Sequence, residues 1–159
     1  IRAVSPAECM TYSNALLSQE AVNNMFVTTF YGIYNIRTGE VTYANAGHNP
    51  PYLVKADGSV EMLPLSKDIV AGAFDDFQYS QESLQLEPGD TLLLYTDGVT
   101  EAINTEDKEY GEGRLEKQLA QCSNLSCQEI IDKVKDDVKA FAGEAEQSDD
   151  ITLFALKRK

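Results

Sequence analysis

Residues 92–102 read LLLYTDGVTEA. A short apolar run that begins with Thr91 stops at Asp97-Gly98 and gives way to a polar stretch holding Glu101. An unbroken apolar run of this length is the pattern of a strand buried on both faces. Asp-Gly after such a run is ordinary turn chemistry. A second segment mirrors the first: Ser148-Asp149-Asp150 leads directly into ITLFAL, residues 151–156. If the two strands are antiparallel neighbours, the end of one lies beside the start of the other, and Asp97 and Asp149 share one sheet edge. Carboxylates that close repel unless one is protonated or a cation lies between them. Oxygen ligands without His or Cys select hard cations, namely Mg²⁺, Mn²⁺ or Ca²⁺. Gly98 would let the backbone turn sharply and come near a metal or its waters. Each motif alone reads as turn or loop; together they raise a cation site beside that reading, and both stay open.

Working outward, the flanking sequence reads as strands and helices in a mixed order. Pro88-Gly89 suits the centre of a type II turn leading into TLLLYT. QYSQESLQL (78–86) alternates as a strand does. PPYLVK, Asp57-Gly58 and SVEML form a hairpin, with Asp-Gly as its turn. Met25–Ile36 is rich in β-branched and aromatic residues, Arg37–Glu40 is a turn, and VTYANA returns as a second hairpin. Residues 64–77 show no clean period and read as loop. Ser5-Pro6-Ala7-Glu8 is a capping box with proline at the first helical position. It opens a helix to about Ser18 with Cys9, Tyr12, Leu16 and Leu17 on its apolar side. A short helix falls around 111–121. Ser126-Cys127-Gln128-Glu129 caps another, which turns Ile130, Ile131, Val134, Val138 and Phe141 inward and stops at Gly143. Helix, antiparallel strands, helices and strand make an α+β domain built around sheets.

The bulk numbers bound the function. The 159 residues fit one domain with a sizeable core. Thirteen basic against 26 acidic residues give a net charge of −13, a field that repels nucleic acid and anionic membrane. No apolar run approaches the roughly 18 residues of a membrane span, and IRAVSPAE lacks a secretory pattern. Cys9, Cys122 and Cys127 form no C-x-x-C, and His48 is the sole histidine. A disulfide scaffold, a zinc site and a Cys–His nucleophile therefore lack their parts. The expectation is a soluble, cytoplasmic, thiol-reduced domain.

Other readings of Asp97 fail on the residues. A phosphorylated-aspartate phosphatase needs D-x-D after the strand with its first Asp attacking phosphorus, but the position of that Asp is Tyr95. EF-hand, P-loop and G-x-G-x-x-G patterns do not occur. Three stretches taken in order, MFVTTFYGIYNIRTGEVTYANAGHNPPYLV, LEPGDTLLLYTDGVTEA and SDDITLFAL, closely resemble the SpoIIE/RsbU-type branch of the metal-dependent PP2C (PPM) phosphatases. The resemblance covers essentially the whole of residues 1–159 as one domain. It implies a PP2C-like antiparallel β-sandwich flanked by helices in αββα layers, with a two-metal Mn²⁺ or Mg²⁺ site at one end of the sheets.

The implied activity is hydrolysis of phosphoserine or phosphothreonine on a regulatory protein, such as an anti-sigma-factor antagonist. The implied setting is an output domain below a sensor or receiver, with a homodimer open. Asp97 and Asp149 match metal-ligating aspartates of the family, Gly98 belongs to the first motif, and Asp150 neighbours the second. No protein nucleophile is implied: the attacking group is a metal-activated water. Ala44–Pro50 matches a family loop in which His48 reads as structural, and Tyr110-Gly111 with Arg114-Leu115 fits a further pattern without a chemical role. The family's opening D-x-x-G-H/K-G-type segment, which carries a metal-bridging Asp, has no counterpart here, so the expected domain is N-terminally incomplete. The GxPLG-like turn is altered to PLSKDIVAGAF. The alternative is a non-catalytic module of the same fold that docks a regulatory protein.

Overall fold

The computed structural model describes residues 5–20 and 25–159. These form two compact units: one holds the described residues up to His48 together with Pro64–Gln85, the other Asn49–Leu63 with Leu86–Lys159. Helices and antiparallel sheets occur together, as the α+β reading expects.

In the first unit, helix α1 (Pro6–Glu20) starts at the expected capping box. Glu8 N–H donates to Ser5 Oγ at 3.2 Å and Ser5 N–H donates to the Glu8 carboxylate at 3.1 Å. The helix's inward face differs from the sequence reading. Met10 and Asn14 are buried, whereas Tyr12, Leu16 and Leu17 are exposed and Cys9 is half-buried. Asn14 holds its place because its amide donates to Phe74 O at 2.7 Å and accepts from Gly72 N–H at 2.8 Å. A buried amide satisfied in this way occupies a core position as an apolar side chain would. Met10 packs with Ala44, Ala46, Ala71 and Tyr79.

Strands β1 (Thr29–Tyr34) and β2 (Glu40–Ala46) make the first expected hairpin, registered from Thr29 opposite Ala46 to Tyr34 opposite Val41. The segment expected to be a strand from Met25 becomes one only at Thr29; the turn is tied by Asn35 Oδ1, which accepts from Arg37 and Thr38 N–H. The second unit opens with β3 (Tyr52–Val54) and β4 (Val60–Met62), the second hairpin, where Asp57 Oδ1 accepts from Ser59 N–H at 2.9 Å. Residues 64–77 are loop apart from a bridge between Ala71 and Val27. The strand expected over 78–86 contracts to β5 (Glu82–Gln85), which pairs with β2 to give the order β1-β2-β5.

In the second unit, Asp90 N–H closes the Glu87–Asp90 turn onto Glu87 O at 2.9 Å, with Gly89 at φ +95°. That dihedral is the one position i+2 of a type II turn requires. The buried Asp90 carboxylate fixes the turn by accepting from Ala56 and Glu87 N–H. β6 (Thr91–Tyr95) then runs through the interior, buried at four of its five residues. β7 (Leu153–Lys157) pairs with it, and the sheet order is β4-β3-β6-β7. Helix α2 (Glu112–Leu119) buries Leu115 and Leu119. Helix α3 (Cys127–Ala142) starts at the Ser126–Glu129 capping box and buries Ile130, Val134 and Val138, with Ile131 and Phe141 partly covered. These side chains enclose Tyr52, Leu93, Tyr95 and Val99 in one core. Among the described residues no helix is long and apolar enough to cross a membrane.

Candidate metal site

The register of β6 against β7 makes the two strands antiparallel neighbours. Tyr95 stands opposite Leu153, so the chain leaving β6 and the chain entering β7 lie side by side. Thr96 locks this end of the sheet. Its N–H donates to Thr152 O at 3.1 Å, its hydroxyl donates to Asp150 O at 2.9 Å, and the same oxygen accepts from Thr152 N–H at 2.9 Å. Asp97-Gly98 and Asp149-Asp150 are thereby brought together at one edge.

Gly98 sits at the point of closest approach. A Cβ there would lie 2.6 Å from Asp150 O and 3.1 Å from Asp149 O, both backbone atoms. The missing side chain is therefore what lets the two acidic segments abut. After it, Val99 is fully buried, and a tight turn returns Glu101 N–H to Asp97 O at 2.8 Å. Asp97, Asp149 and Asp150 are all exposed at the resulting sheet end. Asp149 Oδ1 accepts from Asp150 N–H at 2.6 Å, and Gln147 Nε2 donates to Asp149 O at 2.7 Å. Ser148 Oγ donates to Glu101 O at 3.3 Å, a second tie between the two segments.

The donor chemistry of carboxylates and carbonyls suits a hard cation. Among the described residues no group of three or more His, Cys, Asp and Glu side chains is gathered as a cation cage. The arrangement instead fits an ion that takes one or two carboxylates and keeps water in its other positions, as Mg²⁺ does. His48 is held by its backbone, with its N–H donating to Asn45 Oδ1 at 2.8 Å and its carbonyl accepting from Asn45 Nδ2 at 2.9 Å. Its ring meets Phe30 edge-on. Cys122 is buried, its thiol donating to Gln118 O and pushed up by that burial, which is the opposite of an activated nucleophile.

Two contacts of the second unit have no local signal in the sequence, although Tyr110 and Arg114 themselves fall in a pattern of the family. One is made by the Thr96 hydroxyl, an unremarkable residue at the end of a strand until the register places it across from Thr152. The other involves Arg114. Its Nε and Nη2 donate to Asp137 Oδ2 and Oδ1 at 2.8 and 2.9 Å, and Tyr110 Oη donates to Asp137 Oδ2 at 2.7 Å. The Arg114 hydrogen bonds hold the Asp137 carboxyl below its usual range. Burial, and then the Asp137 hydrogen bond, push the Tyr110 hydroxyl up.

With this geometry in place, comparison with known proteins gives a consistent result. The family model for stage II sporulation protein E (SpoIIE) matches residues 2–159. The chain is 31% identical to the phosphoserine phosphatase RsbU of Bacillus subtilis over 156 residues, covering 98% of this chain and 46% of that protein. It is 34% identical to protein IcfG of Synechocystis sp. over 135 residues, covering 84% of this chain and 21% of that protein. The chain thus spans less than half the length of these relatives. Among solved structures, the PP2C phosphatase domain of SpoIIE from Bacillus subtilis matches with TM-score 0.80 at 20% identity, over 96% of this chain and 44% of that one. A manganese-presoaked structure of that phosphatase domain matches with TM-score 0.69 at 19% identity, over 93% of this chain and 64% of that one. The mixed helix and antiparallel-sheet fold is that of PP2C phosphatase domains.

Proposed function

The chain belongs to the SpoIIE family, and on that footing we propose that residues 1–159 are one metal-dependent protein phosphatase domain acting on phosphoserine or phosphothreonine. Asp97 and Asp149 are the carboxylates that hold Mn²⁺ or Mg²⁺; Asp150 is the adjoining carboxylate, and Gly98 the position that permits their approach. The observation that carries this is the abutment of the two acidic segments across Gly98, at the exposed end of β6 and β7. A bound divalent cation supplies charge neutralisation at the phosphoryl oxygens and a water acidic enough to attack at neutral pH.

The chain's own part is to fix the carboxylates and leave the approach open. Thr96 and the Asp97–Glu101 turn set the backbone from which Asp97 projects. The exposure of all three carboxylates suits a phosphorylated residue carried on a protein, which an enclosed cavity would not admit. A groove of about 540 Å³ along α3, lined by Ala102, Ile103, Val138, Lys139 and Ile151, opens beside the Ser148–Asp150 loop and gives a protein substrate room. The substrate proposed is a phosphorylated regulatory protein, such as an anti-sigma-factor antagonist; the relative RsbU is a phosphoserine phosphatase. An upstream sensor or receiver, a cytoplasmic setting and a homodimer are consistent with this reading.

The test is Mn²⁺-dependent phosphate release from a phosphoserine protein and from an aryl phosphate, with Asp97→Asn and Asp149→Asn alongside. Release that needs metal and is lost in both variants is the expected result. A folded chain that binds a phosphoprotein yet releases nothing would make it a docking module instead.

A further inference from the structure

The Asp137 carboxylate in α3 gathers several side-chain hydrogen bonds. Its side chain is 17% exposed, and it takes both arms of the Arg114 fork as well as the Tyr110 hydroxyl. The guanidinium lies 5.3 Å from the Tyr110 ring centroid and 4.8 Å from that of Phe141, and the two rings meet edge to face at 5.5 Å. Bidentate geometry fixes orientation as well as distance.

Tyr110 carries this fixation back toward the acidic strand end. Its N–H donates to Ala102 O at 2.8 Å and Gly111 N–H donates to Thr100 O at 2.9 Å, while Ile103 bridges Glu109. Residues 100–103 are thus paired against 109–111. Thr100 Oγ1 and Glu101 N–H both donate to Asp97 O, at 3.3 and 2.8 Å. An unbroken series of hydrogen bonds and covalent links runs from Asp137 through Tyr110 and the paired loop to the residue proposed above as a metal ligand.

We infer that Arg114, Asp137 and Tyr110 form a positioning cluster that fixes the 97–111 loop, and with it the Asp97 carboxylate, for the cation. This rests on the assignment of Asp97 in the proposed function. A purely structural cluster and a positioning cluster differ in what they do to metal affinity. They also differ in sign from a simple field effect: removing the Arg114 cation would by charge alone strengthen Mn²⁺ binding, whereas loss of positioning weakens it.

The experiment is Mn²⁺ binding to this chain, read by electron paramagnetic resonance of the free ion, with thermal unfolding of each variant in parallel. Arg114→Ala and Asp137→Asn are each expected to weaken Mn²⁺ about tenfold, the lower end of what losing an outer partner of a metal ligand costs. Arg114→Lys, which keeps the charge and loses the fork, is expected to fall between them and the wild type. Faster hydrogen exchange at the Glu101, Tyr110 and Gly111 amides should accompany the loss. Ile130→Val, a core change in α3, should lower stability and leave Mn²⁺ affinity unmoved. Wild-type affinity in Arg114→Ala and Asp137→Asn, with stability reduced as in Ile130→Val, overturns the inference while Asp97→Asn still shows a metal site. A wild type that binds no Mn²⁺, or an Asp97→Asn variant that binds it equally well, removes the functional reading and this inference with it.

Discussion

Gly98 shows at the scale of one residue how packing and chemistry meet. The atom its Cβ would strike is a carbonyl of the neighbouring strand end, which has no rotamer through which to move aside. Gly98→Ala must therefore push Asp97 and Asp150 apart. It is expected to cost about 1–3 kcal/mol, the range for overpacking, and to weaken Mn²⁺ in the same variant; urea unfolding and metal titration check the two effects. Asp137 offers a test with a sign in pH. The Arg114 hydrogen bonds depress its folded pKa, so its contribution is present above the unfolded carboxylate value and is lost as pH falls through the lower folded value. The stability difference between wild type and Asp137→Asn should be flat from pH 7 to about pH 5 and shrink below about pH 4, near the unfolded Asp pKa. Denaturant midpoints across that range measure it. A difference that instead shrinks between pH 7 and pH 5 would mean that the carboxylate is not held by Arg114.

At the scale of the element, helix starts and turns were legible because their signals are local. The Ser5–Glu8 and Ser126–Glu129 boxes and the Asp57-Gly58 and Pro88-Gly89 turns all form where their residues stand. The inward face of α1 was not legible. Apolar spacing favours Tyr12 and Leu16, but the core position goes to Asn14, whose partners Gly72 and Phe74 lie some sixty residues away in sequence. Asn14→Leu, a better residue by spacing, should destabilise by about 1–3 kcal/mol because it leaves the Gly72 N–H without its acceptor. Stability equal to wild type in chemical denaturation would show that water replaces the amide there. The same division runs through the candidate site. Asp97 and Asp149 stood out because each abuts a strand, and antiparallel pairing then joins them. The Thr96 bridge needs the register, and the Arg114–Asp137 pair joins two helices through residues 23 apart, a contact no local pattern announces.

For the whole molecule the governing quantity is the net charge of −13. Self-repulsion of that size lowers the stability of the compact state, and any salt relieves it by screening. A divalent cation held by Asp97 and Asp149 would add a separate, saturable term, because a ligand that binds only the folded chain stabilises it by mass action. The two can be told apart at matched ionic strength. Raising NaCl from 0.01 to 0.3 M should raise the thermal midpoint gradually, and about equally in wild type and Asp97→Asn. Adding Mn²⁺ at constant ionic strength should raise it further in wild type, the added stabilisation reaching about 2.7 kcal/mol when the free ion is a hundredfold above its dissociation constant, and much less in Asp97→Asn. An equal Mn²⁺ response in both proteins would mean that the ion acts only on the diffuse acidic surface, and that the strand ends, although adjacent, do not hold it.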